Sequence, residues 1–362
     1  MKNKIRVAVA MSGGVDSSVA AALLQKRGYE VIGLTMQLWP KGRPECDSET
    51  SCCGSDAVDD AKRVAAKLGI PHYVINSREI FAKKVIADFV KQYWSGRTPN
   101  PCIRCNELVK FDFLRRKALS LGAKFLATGH YANIKYDRKD KRYLLLKARD
   151  GKKDQTYFLY TMTQEQLAQT LFPLGNYTKT TVRGLARKMG LPTANRPESQ
   201  EICFIPDNDY HRFLREKIKS RIKNGPIVDQ SGQVLGQHKG LPFYTIGQRK
   251  GLGIAAPAPL YVMRIETRGN RLLVGPEKEG YKRKLTADKV NYIGIKKLTR
   301  AAKGLAKIRS AHKMAACVIV PDGKNRARVT FDRGQWAITP GQAVVFYAKD
   351  KVLAGGTIIK AD

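Results

Sequence analysis

The sequence predicts an α/β fold in which a doubly wound parallel sheet is followed by a small central domain and a C-terminal antiparallel β-barrel. Strand-like and helix-like segments alternate up to about residue 135, as in a parallel sheet covered by helices on both faces. Glycine-rich, short β-like runs occupy residues 227–279, and strands with period-2 alternation recur from Leu285 onward, separated by turn signals. The expected domains are residues 1–208, 209–279 and 280–362.

The elements follow one another in regular order along the chain. Strands are predicted at residues 5–10, 29–36, 71–76 and 125–128, and helices at 55–68, 81–93 and 108–121. Later helices are predicted at 180–189 and 210–223, and barrel strands at 317–320, 327–331, 336–338, 343–348 and 352–359. Ligands of parallel sheets bind beyond the carboxyl ends of the strands, so the loop after the first strand is the expected site.

The charge balance favours a polyanionic partner. The chain of 362 residues has 66 Lys and Arg against 31 Asp and Glu, a formal net charge of +35. Lys and Arg make the phosphate contacts that dominate binding to nucleic acid, so nucleic acid is the expected partner. The predicted barrel at 281–362 has 18 Lys and Arg and five Asp and Glu. A membrane surface is the alternative, but no basic amphipathic helix with bulky apolar residues supports it.

The expected location is the cytoplasm. No apolar run reaches the roughly 18–20 residues that span a bilayer, and the first strand begins too early to leave room for a signal peptide. Cysteines in that compartment stay reduced, so any that matter are expected to be catalytic or metal-binding. The seven cysteines are Cys46, Cys52, Cys53, Cys102, Cys105, Cys203 and Cys317.

A glycine-rich string follows the first predicted strand: Ala10-Met11-Ser12-Gly13-Gly14-Val15-Asp16-Ser17-Ser18. Glycines let the backbone approach a phosphate closely, and the N-terminus of the following helix adds unpaired N–H groups and partial positive charge. Residues 10–17 are therefore the predicted nucleotide contacts, together with Met36 and Gly129, which lie at the ends of two other strands. The alternative is a plain helix cap formed by Asp16 or Ser17.

The string is not a Walker-type loop, because Val15-Asp16 stands where that motif has Lys followed by Ser or Thr. It resembles the PP-loop of HUP-like ATP pyrophosphatases, which split ATP between the α- and β-phosphates and adenylate an acceptor. The resemblance implies AMP-transfer chemistry and leaves the acceptor open.

Two cysteine-containing strings form the second predicted site. In Thr98-Pro99-Asn100-Pro101-Cys102-Ile103-Arg104-Cys105-Asn106, two prolines stiffen the chain, and Cys105 precedes a helix expected to begin near Glu107. The N-terminus of that helix would favour a thiolate. Cys203 lies far downstream in Ser199-Gln200-Glu201-Ile202-Cys203-Phe204-Ile205-Pro206.

Three interpretations of these cysteines are open. They are a pair of catalytic thiols, the three thiolate ligands (Cys102, Cys105 and Cys203) of an iron–sulfur cluster, or buried inert thiols. A closed zinc site would need a fourth ligand. Cys52 or Cys53 could provide it, although adjacent cysteines are awkward for chelation.

With both strings in view, the chain resembles the tRNA-specific 2-thiouridylase family, called MnmA in bacteria. The matching strings span nearly the whole length in family order, at residues 10–18, 33–36, 98–106, 127–131, 153–159, 199–206, 244–253 and 339–346. The family joins a PP-loop domain, a small central domain and a C-terminal β-barrel, which agrees with the predicted domains.

The resemblance implies ATP-dependent 2-thiolation of the wobble uridine of tRNA. ATP with Mg²⁺ would adenylate the carbon-2 oxygen, and a persulfide on Cys203 would attack the activated carbon. Cys105 would release the sulfur by forming a disulfide with Cys203, or would free sulfide that attacks instead. A cysteine desulfurase or a sulfur-relay protein would supply the sulfur. The target-base or tRNA contacts carried over from the family are Asn100, Pro101, Cys102, His130, Lys153, Asp154, Gln155, Arg309 and Gln342.

Two positions depart from the family pattern. Cys102 stands where many members have the Asp of an Asn-Pro-Asp string, to which a general-base or base-contacting role is assigned. The resulting three cysteines are similar to those of PP-loop tRNA thiolases that hold a [4Fe-4S] cluster, so a cluster-dependent thiolase is a second hypothesis. At Arg309-Ser310 the family tends to have a second bulky tRNA-contacting residue, and only Arg309 is carried over.

Rival functions explain only part of the sequence. A PP-loop ligase or amidotransferase acting on RNA would share residues 12–18 but would not need Cys105 and Cys203, and no glutaminase segment is present. A non-catalytic RNA-binding protein would explain the net charge of +35 but not the nucleotide loop.

Overall fold

The computed structural model describes residues 4–38, 55–198, 202–205, 207–218 and 222–362. The chain divides into two compact units. The first comprises Met1–Val85, Cys102–Asn208 and Lys349–Val352, and the second comprises Ile86–Pro101, Asp209–Ala348 and Leu353–Asp362. The predicted domain boundaries after residues 208 and 279 stay predictions.

The first unit is built on a parallel sheet and a hairpin. Its strands are β1 (Arg6–Ala10), β2 (Glu30–Gln37), β3 (His72–Asn76), β4 (Phe125–Thr128), β5 (Asn133–Asp137), β6 (Arg142–Leu146) and β7 (Thr170–Leu171). The order in the sheet is β3-β2-β1-β4-β7, and every pairing in it is parallel. β5 and β6 form an antiparallel hairpin. The predicted parallel sheet is thus confirmed.

The helices agree largely with the sequence pattern. They are α1 (Val15–Lys26), α2 (Ser55–Leu68), α3 (Arg78–Phe81), α4 (Ala87–Trp94), α5 (Pro101–Cys105), α6 (Arg115–Ser120), α7 (Gln164–Ala168), α8 (Lys179–Lys188) and α9 (Tyr210–Ile218). Segments of π-helix lie at Ala82–Ile86 and Asn106–Leu114, and 3₁₀ turns at Thr156–Phe158, Leu241–Phe243 and Glu277–Gly280.

The core of the first unit surrounds α1. The small side chains of Ala20, Ala21 and Ala22 are at most 5% exposed, which lets the helix approach its neighbours closely. Val182 and Ala186, one turn apart on α8, are fully buried in the same apolar cluster. Burial of apolar surface therefore fixes the start of α1, and with it the glycine-rich loop.

The second unit contains a four-stranded sheet and a closed barrel. The sheet strands are β8 (Gly225–Val228), β9 (Val234–His238), β10 (Tyr261–Glu266) and β11 (Arg271–Gly275), in the order β10-β11-β8-β9. The barrel strands are β12 (Tyr281–Asn291), β13 (Ala302–Lys307), β14 (Ala315–Pro321), β15 (Ala327–Trp336), β16 (Ala343–Ala348) and β17 (Lys351–Ala361). β12 pairs with both β15 and β17, which closes the six-stranded barrel. The predicted antiparallel barrel is confirmed.

Two predicted elements are wrong in detail. The strand at 336–338 does not exist as a separate element, because Trp336 ends β15 and Ala337 takes a left-handed φ of 49°. The helix at 210–223 is too long: α9 is described to Ile218, and Ile222 and Lys223 lie outside any helix. The chain must leave the helix before β8, which begins at Gly225.

Candidate active site

The loop between β1 and α1 lies where the order of the strands in the sheet reverses. The chain leaves β1 for β2 on one side, while β4 pairs with β1 on the other. This switch point is where doubly wound sheets bind ligands. Gly13 has a φ of 69°, and a side chain there would collide with the carbonyl oxygen of Ala57. The loop shape therefore requires glycine at position 13.

Serine side chains hold the loop from within. The backbone N–H of Ser12 donates to Ser17 Oγ at 3.1 Å, and Ser17 Oγ donates to the carbonyl of Gly14 at 3.1 Å. α1 begins at Val15 with Gly14 as its N-cap, and no side chain caps it. The alternative in which Asp16 or Ser17 caps the helix is therefore wrong. Ser12 is exposed and Gly14 half-buried, so the loop is accessible at these two positions.

The ends of two further strands reach this loop. Gly129 follows β4, and a Cβ atom on it would lie 2.8 Å from both the carbonyl carbon of Asp16 and the backbone nitrogen of Ser17. Thr35 of β2, next to the half-buried Met36, donates to the carbonyl of Met11 at 2.8 Å. Gly129 and Thr35, the neighbour of Met36, thus lie against the glycine-rich loop. Contact of Gly129 and Met36 with ATP stays a prediction.

An ion pair that the sequence did not predict lies in the first turn of α1, next to the glycine-rich loop. Lys179 Nζ lies 2.8 Å from both carboxylate oxygens of Asp16, and the Tyr131 hydroxyl donates to Asp16 Oδ1 at 2.8 Å. Lys179 is 9% exposed. Burial, followed by the negative charge of Asp16, raises the pKa of Tyr131 far above its usual value, so the hydroxyl stays protonated as the donor.

Glu198 gathers three cations beside this pair. Its carboxylate lies 2.5 Å from Lys153 Nζ, 3.3 Å from Lys179 Nζ and 3.6 Å from Arg183. Burial alone would raise the pKa of Glu198, but the hydrogen bond from Lys153 and the charge of Lys179 outweigh it and lower the pKa. Nearby, Arg196 donates to the Gly13 carbonyl at 3.2 Å and forms an ion pair with Asp60.

Two residues of the predicted string at 153–155 stabilise the fold through hydrogen bonds. Asp154 accepts from the backbone N–H of Ala148 at 3.1 Å and from the Thr156 hydroxyl at 2.7 Å. Gln155 accepts from the backbone N–H of Tyr131 at 2.9 Å. Asp154 and Gln155 thus hold in place the two segments that carry Lys153 and Tyr131.

The helix that carries the first cysteines begins earlier than predicted. α5 starts at Pro101, a residue favoured at the first helical position, and continues through Cys105 into the π-helical segment. Cys105 therefore lies inside a continuous helix rather than before one, so the argument that a helix N-terminus favours its thiolate is wrong. Cys105 is 7% exposed, and Cys102, in the first turn, is exposed.

Cys203 lies in a turn of the first unit and is partly exposed. The next residues, Phe204 and Ile205, are at most 3% exposed, and the Phe204 ring packs edge-on against Phe81 with centroids 5.7 Å apart. These contacts hold the turn on the unit that also contains Cys105. Residues 199–201 and 206 of the predicted string lie outside the described residues.

Within the described parts of the chain, which include Cys102, Cys105 and Cys203, no three His, Cys, Asp or Glu side chains gather closely enough to hold a metal ion. Binding of an iron–sulfur cluster by the three cysteines stays a prediction. Cys52 and Cys53, the candidate fourth ligands of a zinc site, lie outside the described residues.

His130 follows Gly129 and is partly exposed. Its Nδ1 shares a hydrogen bond of 2.7 Å with Thr128 Oγ1, and its ring lies 5.8 Å from that of Phe111 and 6.0 Å from that of Phe172. Burial, followed by the charge of Lys110, lowers the pKa of His130 well below its usual value. The imidazole is therefore neutral near pH 7, and contact of His130 with a base or with tRNA stays a prediction.

The remaining predicted contacts belong to the second unit. Gln342 Nε2 donates to the carbonyls of Thr98 and Pro99 at 3.0 and 3.1 Å, so it holds the segment that leads into Asn100. Arg309 donates to the Ala337 carbonyl at 2.7 Å and to Thr339 Oγ1 at 2.5 Å. These contacts give Gln342 and Arg309 structural roles, and tRNA contact by them, by Asn100 and by Pro101 stays a prediction.

Three family models match consecutive parts of the chain. Residues 5–207 match the tRNA methyl transferase HUP domain, 211–276 the tRNA methyl transferase PRC-barrel domain, and 282–358 the Aminomethyltransferase beta-barrel domain. The tRNA-specific 2-thiouridylase MnmA of Heliobacterium modesticaldum is 54% identical over 360 residues, covering 99% of this chain and 93% of the relative. That of Acetivibrio thermocellus is 53% identical over 361 residues, covering 98% and 99%.

The chain belongs to the tRNA-specific 2-thiouridylase MnmA family. The domain descriptions mention a methyl transferase, but the relatives matched over nearly their full length carry the thiouridylase name, and this coverage decides the family. Among solved structures, the U34-tRNA thiolase NcsA from Methanococcus maripaludis with its [4Fe-4S] cluster is 19% identical, covers 60% of this chain and 68% of that chain, and has a TM-score of 0.35. A likeness this weak carries no argument about a cluster.

Three residues that the sequence did not point to contact the glycine-rich loop or the Asp16–Lys179 ion pair of this MnmA family member from segments far along the chain. They are Lys179, Glu198 and Arg196. A signal existed for Lys179, because it follows Thr178, a good N-cap, at the start of α8. No helix among the described residues is long and apolar enough to cross a membrane.

The histidines of this MnmA family member should make its stability fall with acid. Burial is the first cause that lowers the pKa of His72, His130, His211, His238 and His312, which are all the histidines of the chain. The unfolded chain therefore binds more protons just below pH 6.5, and the free energy of unfolding falls as the pH drops through that range. NMR titration should give every imidazole midpoint below 6.5; midpoints above it would contradict the prediction.

Proposed function

We propose that this protein catalyses the ATP-dependent 2-thiolation of the wobble uridine of tRNA. The observation that carries the proposal is that one compact unit contains both the glycine-rich loop at residues 10–17 and the two cysteines Cys105 and Cys203. Membership of the MnmA family over nearly the full length supports it. The net charge of +35 supports a polyanionic substrate of this size. Because tRNA is the substrate, the proposed location is the cytoplasm.

The first step activates the uridine. The carbon-2 oxygen attacks the α-phosphate of ATP, and pyrophosphate leaves, which converts a poor electrophile into one with AMP as its leaving group. Backbone groups of residues 10–17 bind the phosphates at the start of α1. Asp16, the one carboxylate of residues 10–17, would hold Mg²⁺ once Lys179 turns away from it, and the ion would neutralise part of the phosphate charge.

The second step transfers sulfur. The outer sulfur of a persulfide on Cys203 attacks carbon 2 and expels AMP. The Cys105 thiolate then attacks Cys203 Sγ, forming a disulfide and leaving the sulfur on the base as the reduced thiocarbonyl. Alternatively, Cys105 attacks the persulfide first and frees sulfide that attacks carbon 2. A cellular thiol must reduce the disulfide, and a cysteine desulfurase or sulfur-relay protein must reload Cys203.

The target base must reach both halves of the site. A wobble base lies in a loop, so turning it out of its stack costs little. The proposed contacts to the base and tRNA are His130 and Lys153, together with Asn100 just before α5 and Pro101 and Cys102 in its first turn. Asp154, Gln155 and Gln342 support them through the contacts described above, and Arg309 is a further proposed contact to tRNA.

The proposal uses Cys102 as an exposed neighbour of the site and needs no cluster. A Cys102→Ala variant should therefore keep thiolating tRNA from a persulfide donor, and the isolated protein should contain no stoichiometric iron. Loss of activity together with loss of bound iron in this variant would favour the cluster-dependent alternative.

The bond of ATP that is cleaved tests the proposal against a ligase of another type or a simple RNA-binding protein. With ATP labelled at the α-phosphate, tRNA and a persulfide donor, the protein should release labelled AMP together with unlabelled pyrophosphate, one AMP for each sulfur incorporated. Release of ADP and phosphate, or AMP formation without tRNA thiolation, would contradict it.

A further inference from the structure

Lys179 is a buried cation at the phosphate loop for which the proposed mechanism has no use. Its ammonium nitrogen lies 2.8 Å from both oxygens of Asp16 and 3.3 Å from Glu198 Oε1. The residue is 9% exposed. An ammonium group rarely occupies such a position unless it is paired, and here the pairing occurs next to the glycines of the loop.

We propose that Lys179 binds the phosphate chain of ATP, and that Asp16 and Glu198 position its ammonium group beside the loop in the absence of nucleotide. The inference rests on the proposed use of ATP.

The loop itself lacks a cation. Residues 10–17 contain neither Lys nor Arg, whereas a Walker-type loop has a lysine within its motif that reaches the β- and γ-phosphates. Apart from Mg²⁺, a cation that pairs with the triphosphate must therefore come from another segment. Lys179 meets this need from the first turn of α8, where its backbone N–H donates to Asp150 at 2.9 Å and Thr178 caps the helix. The backbone of Lys179 is therefore held in place, while the four methylene groups of its side chain let the ammonium group move.

Lys179 can turn to a phosphate without leaving a carboxylate unpaired. Asp16 would keep the Tyr131 hydroxyl at 2.8 Å. Glu198 would keep Lys153 at 2.5 Å and Arg183 at 3.6 Å. Because an uncompensated buried charge is the main cost of breaking such a pair, these substitute partners make the exchange inexpensive.

A purely structural role, in which Lys179 ties α8 to α1, is the competing explanation. Val182 and Ala186 already bury the inner face of α8 in the same cluster as α1. The docking of the helix therefore has its own apolar basis, and removal of the lysine charge should leave it in place.

The test compares the affinities of the full-length protein for ATP and for adenosine, measured by calorimetry. A Lys179→Met variant should bind ATP about 10- to 100-fold more weakly, because a charged hydrogen-bonding partner of the phosphates is lost. Its affinity for adenosine should stay unchanged. Lys179→Arg should keep most of the ATP affinity. Lys188→Met, an exposed change on the same helix, should bind both ligands as the unchanged protein does.

Equal losses for ATP and adenosine in Lys179→Met, with a lower melting temperature, would show a structural role and overturn the inference. Unchanged ATP affinity would also overturn it. If the methionine variant does not fold, Lys179→Gln gives the same comparison, because its amide can still donate to Asp16. If the unchanged protein binds ATP no better than adenosine, the proposed function itself fails, and this outcome is distinct from the first two.

Discussion

A Cys203→Ser variant should lose sulfur transfer to tRNA by roughly a thousandfold or more, because a hydroxyl cannot carry a persulfide. Release of pyrophosphate that depends on tRNA should persist for a single turnover, since adenylation takes place at the loop of residues 10–17 and AMP stays on the uridine until sulfur displaces it. The measurement is the ratio of sulfur incorporated to pyrophosphate released. It should be near one for the unchanged protein and near zero for the variant.

A matched control removes a cysteine outside the proposed site. Cys317 is 2% exposed inside the barrel, and burial, followed by the negative charge of Asp332, raises the pKa of its thiol to about 12. Cys317→Ala should keep the ratio near one. A Cys203→Ser variant that incorporates sulfur at an undiminished rate would remove Cys203 from the mechanism.

The Cys105→Ser variant separates the two routes of sulfur release. If the Cys203 persulfide attacks the base directly, this variant should accumulate tRNA joined to Cys203 through a disulfide, which a thiol reductant releases. If Cys105 must first free sulfide, no such adduct forms. Electrophoresis of labelled tRNA under non-reducing conditions distinguishes the two outcomes.

The second large effect is expected at Gly129. A methyl group there would lie 2.8 Å from backbone atoms of Asp16 and Ser17, which cannot move without shifting the start of α1. Overpacking of this kind costs about 1–3 kcal/mol. We expect Gly129→Ala to lower ATP affinity about tenfold or more and to lower the melting temperature.

Gly184 is the matched control for this substitution. It lies exposed on α8, and a Cβ atom there meets nothing within 4 Å. Gly184→Ala should keep ATP affinity and stabilise the protein by about 0.5–1 kcal/mol, since alanine favours the helix. Gly129→Ala with unchanged ATP affinity would place the nucleotide away from the loop.

Local signals predicted the frame of the site. The strand that ends at Ala10, the two glycines and the helix that begins at Val15 are adjacent in sequence, so periodicity and backbone chemistry were enough to place them. The helix start at Pro101 does not follow from the same signals, because proline stiffens loops and is also favoured at the first helical position. β13 was missed because its Lys-Gly-Leu-Ala core lacks period-2 alternation.

Sequence patterns do not predict contacts between segments that are far apart in the chain. Asp16 and Lys179 are 163 residues apart in the chain, and nothing in either segment points to the other. The structural roles of Asp154, Gln155, Arg309 and Gln342 likewise depend on backbone groups that only the fold brings near. The family resemblance implies that these polar residues contact tRNA, but a resemblance does not separate support of the site from contact with the substrate.

Nucleoside analysis of tRNA is the most direct test of the central claim. Transfer RNA without thiolation is incubated with the protein, ATP and a persulfide donor labelled with heavy sulfur, then digested and examined by mass spectrometry. The account predicts that the label appears as 2-thiouridine at the wobble position, only when ATP is present. Label at another base or atom, label without ATP, or no label at all would contradict it.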